Sequence, residues 1–135
     1  MSDVVAAGVV DTSVFIATET GRQLDSTHIP AEVATTVVTL AELTAGVLAA
    51  TNSDVRAQRL ATLDSIADME TLTVDEDAAQ MWARLRIHLA ETGRRVRIND
   101  LWIAAIAASR RLPVITQDDD FEALDGAAQL TIIRV

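Results

Sequence analysis

Apolar residues along this chain fall into two rhythms: short unbroken runs, and longer stretches at helical spacing. Residues 4–10 form a valine-rich run, the mark of a strand buried on both faces. Residues 33–38 are apolar and β-branched, and predict a second strand. Brief runs at 72–74, 114–116 and 131–135 predict three more, the last at a sheet edge. Between them lie helical patterns. Residues 13–19 read as a short helix, followed by a polar loop over 21–32 that contains Pro30 and has room for one helical turn. Residues 39–50 read as a helix in which Thr39 and Glu42 match a capping box. Over 54–69, Leu60, Leu63 and Ala67 keep helical spacing. Residues 75–92 form the clearest amphipathic helix, with Ala78, Trp82, Leu85 and Leu89 on one face and Gln80, Arg84, His88 and Glu91 on the other. Gly93 is a natural stop. Residues 99–110 begin at an Asn99 cap and are apolar nearly all round, as in a helix buried on most sides. Pro113 closes the next turn, and Asp118 or Asp119 caps a short helix reaching Leu124.

Strands and helices alternate throughout, which predicts an α/β fold: a three-layer α/β/α sandwich around a mainly parallel sheet, one domain over residues 1–135. With aromatics at 3%, small aliphatic side chains must fill its core. No run is long enough to span a membrane, and Asp3 without a basic lead does not resemble a secretory signal, so a cytoplasmic protein is expected. There is no cysteine and there are two histidines, which excludes thiolate chemistry, cysteine zinc sites and a histidine-rich metal centre. His28 in its loop and His88 on a polar face are both expected in solvent.

The net charge of −9 argues against a nucleic-acid partner, but its distribution weakens that argument. All 11 basic residues are arginine, and Arg94, Arg95 and Arg97 form one cluster, Arg110 and Arg111 another, at the two ends of the helix that holds Asp100. These five are candidate phosphate contacts, a solvated helix end being the ordinary alternative.

The acids carry more information. Asp11 ends an apolar run, Glu42 lies in Val38-Thr39-Leu40-Ala41-Glu42-Leu43, Asp100 opens an apolar helix, and Asp118, Asp119 and Asp120 follow another apolar run. Each has an ordinary alternative: a helix cap for Asp11, a capping-box acid for Glu42, a first-turn acid for Asp100, a polar turn for the last three. Four separate elements nevertheless place an acid just after a strand or in a helix's first turn, where an open parallel sheet gathers its ligands. Carboxylates meeting there repel unless a cation joins them, and hard oxygen donors suit Mg²⁺ or Mn²⁺. The partner lysine of a response-regulator receiver, the paired acids of a haloacid-dehalogenase phosphatase and a glycine-rich phosphate loop are all missing.

In their order and spacing, Val10-Asp11-Thr12-Ser13-Val14-Phe15-Ile16, the Glu42 segment, Arg97-Ile98-Asn99-Asp100-Leu101-Trp102 and Thr116-Gln117-Asp118-Asp119-Asp120-Phe121 resemble the motifs of PIN-domain ribonucleases. More narrowly they resemble the VapC toxins of bacterial toxin–antitoxin pairs. That resemblance implies a Mg²⁺- or Mn²⁺-dependent endoribonuclease acting as a toxin. It implies an antitoxin partner, an RNA substrate and a homodimer. Asp11, Glu42 and Asp100 match the family's first three acids, with Asp11 and Asp100 the most direct metal ligands. Asp118 and Asp120 both fit the fourth, Asp118 weighted first, and Asp119 lies between them. Ser13 and Thr116 match hydroxyls that orient the carboxylates. The competing expectation is an inactive acidic α/β module that binds metal and protein without cleaving RNA.

Overall fold

The computed structural model describes residues 6–135. Five strands form one sheet: β1 (Ala7–Val10), β2 (Glu32–Thr36), β3 (Glu70–Leu72), β4 (Val114–Thr116) and β5 (Ile132–Arg134). Their spatial order is β3-β2-β1-β4-β5, and every pairing is parallel. Five helices make the crossovers: α1 (Thr12–Glu19), α2 (Val37–Leu48), α3 (Ser53–Ser65), α4 (Glu76–Thr92) and α5 (Ile98–Ser109). The sequence reading of a mainly parallel sheet holds in full, with β5 at the edge. The first residues of the expected strand over 4–10 lie outside the described residues.

Strand order reverses between β1 and β4: β1 leads outward to β2 on one side, and β4 leads to β5 on the other. The crevice above their carboxyl ends is the topological switch point of an open parallel sheet. α1 starts directly after β1, and a short 3₁₀ helix, Asp119–Leu124, follows β4, so both segments open onto that crevice.

A separate apolar cluster fills each face of the sheet, as three layers require. On one face Val9, Leu85, Ile103, Ile106, Val114 and Phe121 are fully buried, and Trp82 of α4 stacks on Trp102 of α5 with ring centroids 5.3 Å apart. On the other, Val10, Val14, Ile115 and Val135 pack together. Burying side chains of this size contributes roughly 1.5–3 kcal/mol each. Gly8 lets β1 pass close by its neighbours, since a Cβ there would meet the Ile115 side chain at 2.9 Å. Gly93 ends α4 in the left-handed region (φ 66°), where a side chain would be strained.

Several boundaries differ from the sequence reading, each for a local reason. β2 ends at Thr36 because its side chain accepts the backbone N–H of Thr39 and so starts α2 two residues early. The Thr39–Glu42 capping box therefore does not form. β3 spans 70–72, where Thr35 and Thr36 of β2 pair with Thr71 and Leu72. α3 is capped by Asn52 and stops at Ser65, so Ala67 lies beyond it. Asn99 is not a cap. α5 begins at Ile98, with Arg97 at the cap position and no side-chain cap bond. His88 is half-buried rather than solvated, with Nε2 3.2 Å from the Ala123 carbonyl.

Candidate active site

Asp11 sits between β1 and α1, its backbone N–H donating to the Ile115 carbonyl of β4 at 3.1 Å. It occupies the cap position of α1, yet its side chain makes no cap bond. The ordinary explanation for this acid thus fails. Its Oδ1 instead accepts the Ser13 hydroxyl at 2.8 Å. Ser13 Oγ lies 3.2 Å from Thr116 Oγ1 and accepts the Gln117 N–H at 2.9 Å, while Thr116 Oγ1 accepts the Asp118 N–H at 2.9 Å. One hydrogen-bonded chain therefore runs from Asp11 across to the loop after β4. The two hydroxyls expected to orient carboxylates both belong to it.

Asp11 is 1% exposed. Burial raises its pKa from 3.8 to about 7, the Ser13 and Thr116 hydroxyls offset part of the rise, and the charge of Asp100 adds to it. Asp100, in the first turn of α5, is 8% exposed. Its pKa is raised to about 6, first by burial, then by Asp118 and Glu42, against the opposing pull of Arg97, with Asp120 adding last. These couplings bring Asp11, Glu42, Asp100, Asp118 and Asp120 into one electrostatic neighbourhood drawn from four elements.

Glu42 reaches the site from α2. Thr12, the first residue of α1, donates its hydroxyl to Glu42 Oε1 at 2.6 Å and lies 3.0 Å from Thr39 Oγ1. Thr12 and Thr39 are both buried; Thr12 was not singled out from the sequence, and Thr39 was read only as a capping-box residue. The available signal was proximity: Thr12 adjoins Asp11, and Thr39 stands one helical turn before Glu42.

The loop after β4 separates the three consecutive aspartates. Asp118 is half-buried, and its Oδ1 accepts the Asp120 N–H at 2.9 Å, so it is both a cap and a neighbour of Asp100. Asp120 is exposed and acts on Asp100 less strongly than Asp118 does. Asp119 is exposed and ion-pairs with Arg134 of β5, which draws it away from the cluster.

The arginines divide in the same way. Arg97 acts directly on Asp100, while Arg94 and Arg95 are exposed around the Gly93 turn. Arg110 and Arg111 follow the other end of α5, a 12-residue helix and hence about 18 Å long, and Arg110 lies 3.6 Å from Asp75. They stand at the opposite end of α5 from Asp100.

The donor set fits a divalent cation. It consists of hard carboxylate oxygens, two of them on buried acids that pay to ionise near one another. Among the described residues no three acidic or histidine side chains already converge at chelating distance. The fit is therefore one of donor chemistry and electrostatic proximity, not of carboxylates already gathered around one point.

Comparisons with known proteins give the chain's family and fold. A family model described as PIN domain matches residues 8–127. The chain is 79% identical to Ribonuclease VapC5 of Mycobacterium tuberculosis over 135 residues, the whole of both chains. It is 38% identical to Ribonuclease VapC4 of the same organism over 128 residues, 95% of this chain and 98% of the relative. Among solved structures it superposes on a chain of VapBC-5 from Mycobacterium tuberculosis, a member of the VapBC family of toxin–antitoxin systems. The TM-score is 0.92 at 77% identity, covering 97% of this chain and 100% of that one. A chain of DNA-bound VapBC from Salmonella typhimurium matches with a TM-score of 0.76 at 26% identity, over 96% and 98% of the two chains.

Proposed function

Because the chain belongs to the PIN-domain family, and within it to the VapC ribonucleases, we propose that it is a Mg²⁺- or Mn²⁺-dependent endoribonuclease and the toxin of a toxin–antitoxin pair. The observation that carries this reading is the pairing of buried Asp11 with Asp100 at the switch point, each held with a raised pKa. Such a pair is costly in a fold that uses it for nothing, and its neighbours Glu42 and Asp118 supply the remaining oxygens.

Asp11 and Asp100 would hold the cation most directly, Glu42 and Asp118 completing the site directly or through water. Bound there, the cation supplies charge that stabilises the attacking and leaving oxygens of an in-line phosphodiester displacement. The chain's own residues do the rest. Ser13 and Thr116 fix the Asp11 carboxylate, so its free oxygen faces a constant direction. Thr12 fixes one oxygen of Glu42, leaving the other to accept a proton from the attacking water. Arg97 sets a positive charge beside Asp100, where a phosphate can meet it.

The partners follow from the same membership. An antitoxin would silence the site by covering the acidic crevice, and an arginine suits that task because its planar fork pairs with carboxylates. A homodimer and a cytoplasmic setting complete the proposal. Among the described residues no helix is long and apolar enough to cross a membrane.

The test is incubation of the purified chain with mixed cellular RNA in chelator, Mg²⁺ or Mn²⁺. Cleavage should need metal and vanish in Asp100→Asn. Metal binding without cleavage would leave only the inactive module. Sequencing of RNA ends after brief expression of the chain alone would then identify the target.

A further inference from the structure

We propose that the groove between the end of α4 and the start of α5 is a binding track for the single-stranded RNA that flanks the scissile phosphate, with Arg86, Arg94 and Arg95 as its phosphate contacts. This rests on the nuclease reading and gives its substrate a path.

The groove encloses about 560 Å³, its floor includes Trp82 and Leu101, and Arg86, Arg94 and Arg95 line it. Arg86 lies outside the arginine clusters evident in the sequence. It stands one α4 turn after Trp82 and joins Arg94 and Arg95 only because Gly93 reverses the chain. All three are exposed.

Their lack of partners is what needs explaining. The chain carries 20 acids against 11 arginines. Four other arginines have polar partners: Arg110 and Arg134 meet Asp75 and Asp119, and Arg56 and Arg59 donate to backbone carbonyls. Among the described residues Arg22, Arg97 and Arg111 have none; what sets Arg86, Arg94 and Arg95 apart is that all three line one groove. Among the described residues Arg86, Arg94 and Arg95 have neither an ion pair nor a side-chain hydrogen bond. In an acidic protein, three unneutralised guanidinium groups around one groove call for an anionic occupant.

Position selects the occupant. Ile98 and Leu101 of the groove share the first turn of α5 with Asp100, which puts the groove and that carboxylate at the same end of the helix. A polyanion lying in it, with its charges spaced along a backbone, would need only to pass that turn to reach the reacting site. RNA meets that description, and guanidinium groups suit its phosphates.

The chain has two tryptophans and no tyrosine, and Trp82 lines the groove with Trp102 stacked beneath it. Intrinsic fluorescence therefore reports on this place. Binding of a short mixed-sequence single-stranded RNA pool is measured in chelator, across a salt series, by tryptophan quenching and by anisotropy of a labelled strand. The triple variant Arg86→Ala, Arg94→Ala, Arg95→Ala is compared with Arg22→Ala, Arg84→Ala, Arg111→Ala, which removes equal charge elsewhere. Each lost phosphate contact should flatten the logarithmic salt slope by about 0.7, so the groove variant should lose about 2 of slope, and its quenching, while the remote variant keeps both. Equal slopes in the two variants would overturn the track. So would tight seating of a poly-glutamate peptide that RNA fails to displace, since that assigns the groove to an acidic protein segment. Wild type that binds through the groove yet cleaves nothing with Mn²⁺ would sink the nuclease reading and leave the track standing. Wild-type cleavage with a groove variant that binds and cleaves like the remote one would do the reverse.

Discussion

Thr12 donates its hydroxyl to Glu42 across 30 positions of sequence, at 2.6 Å, and so ties the first residue of α1 to the one carboxylate that arrives from α2. The bond joins a hydroxyl to a carboxylate and is partly buried, a setting in which a hydroxyl helps to fix an acid's direction. Its consequence is testable. Thr12→Val keeps shape and removes the donor. A hydrogen bond to a charged group contributes about 1.5–3 kcal/mol, so cleavage should slow by roughly 10- to 100-fold if Glu42 handles the proton of the attacking water. Thr12→Ser, which restores the hydroxyl, should recover most of the rate. Single-turnover cleavage under saturating Mn²⁺ measures this, and equal rates for Val and Ser would remove Thr12 from the mechanism.

The fourth acid can be assigned by three single substitutions. Asp118 couples most strongly to Asp100, Asp120 less, and Asp119 is committed to Arg134. Asp118→Asn should cost most of the activity and weaken Mn²⁺ binding, Asp120→Asn should cost less, and Asp119→Asn should leave cleavage unchanged. Cleavage rates and Mn²⁺ titrations give the ranking. Asp118→Asn at wild-type activity, with Asp120→Asn inactive, would transfer the role.

A third prediction lies at the opposite pole. α5 ends with the Leu112 N–H bonded to the Ala107 carbonyl, which puts Arg111 in the left-handed region at φ 58°. Glycine is the residue that such a helix end favours. Arg111→Gly should therefore raise stability by up to about 1 kcal/mol through relief of that strain, as seen in denaturant unfolding. A loss would mean that the arginine side chain makes a stabilising contact larger than the strain.

How much of this was legible in the sequence follows a physical line. Elements with strong local signals read correctly: the α4 face of Ala78, Leu85 and Leu89, the Gly93 stop and the β4 run all appear where periodicity put them. Asp11 and Asp100 were legible because buried acids interrupt apolar sequence. What failed was competition between equivalent local signals. Thr36 and Thr39 both lie near the β2–α2 junction and both are capping residue types, and Thr36 takes the role because its side chain accepts the Thr39 N–H, which leaves Thr39 inside α2. The two arginine clusters, in contrast, were already read at the two ends of the Asp100 helix, and the 12 residues of α5 keep them apart. Arg86 and Thr12 carried no signal because they meet Arg94, Arg95 and Glu42 only after the chain has reversed and crossed over.

The last prediction joins pH, metal and stability. Asp11 moves from 3.8 in the unfolded chain to about 7 in the fold, and Asp100 from 3.8 to about 6. Folding thus takes up protons in that window. For a raised acid the stability contribution is full below the unfolded value and is lost as pH rises through the folded one. The metal-free protein should therefore melt at a lower temperature at pH 8 than at pH 5, with the steepest loss between about 4 and 7. A cation binds the ionised folded site and should restore stability by mass action. At about 100 times its dissociation constant, Mn²⁺ should add roughly 2.7 kcal/mol, most visibly at the higher pH. Both effects must come from these two acids, so Asp11→Asn with Asp100→Asn is the control. The double variant should melt above wild type at pH 8 without metal, lose the larger part of the pH dependence, and gain little from Mn²⁺. Its cleavage should be absent. If wild type and double variant instead gain equally from Mn²⁺, the cation is bound elsewhere, and the carboxylates at the switch point are not the metal centre on which the proposed cleavage depends.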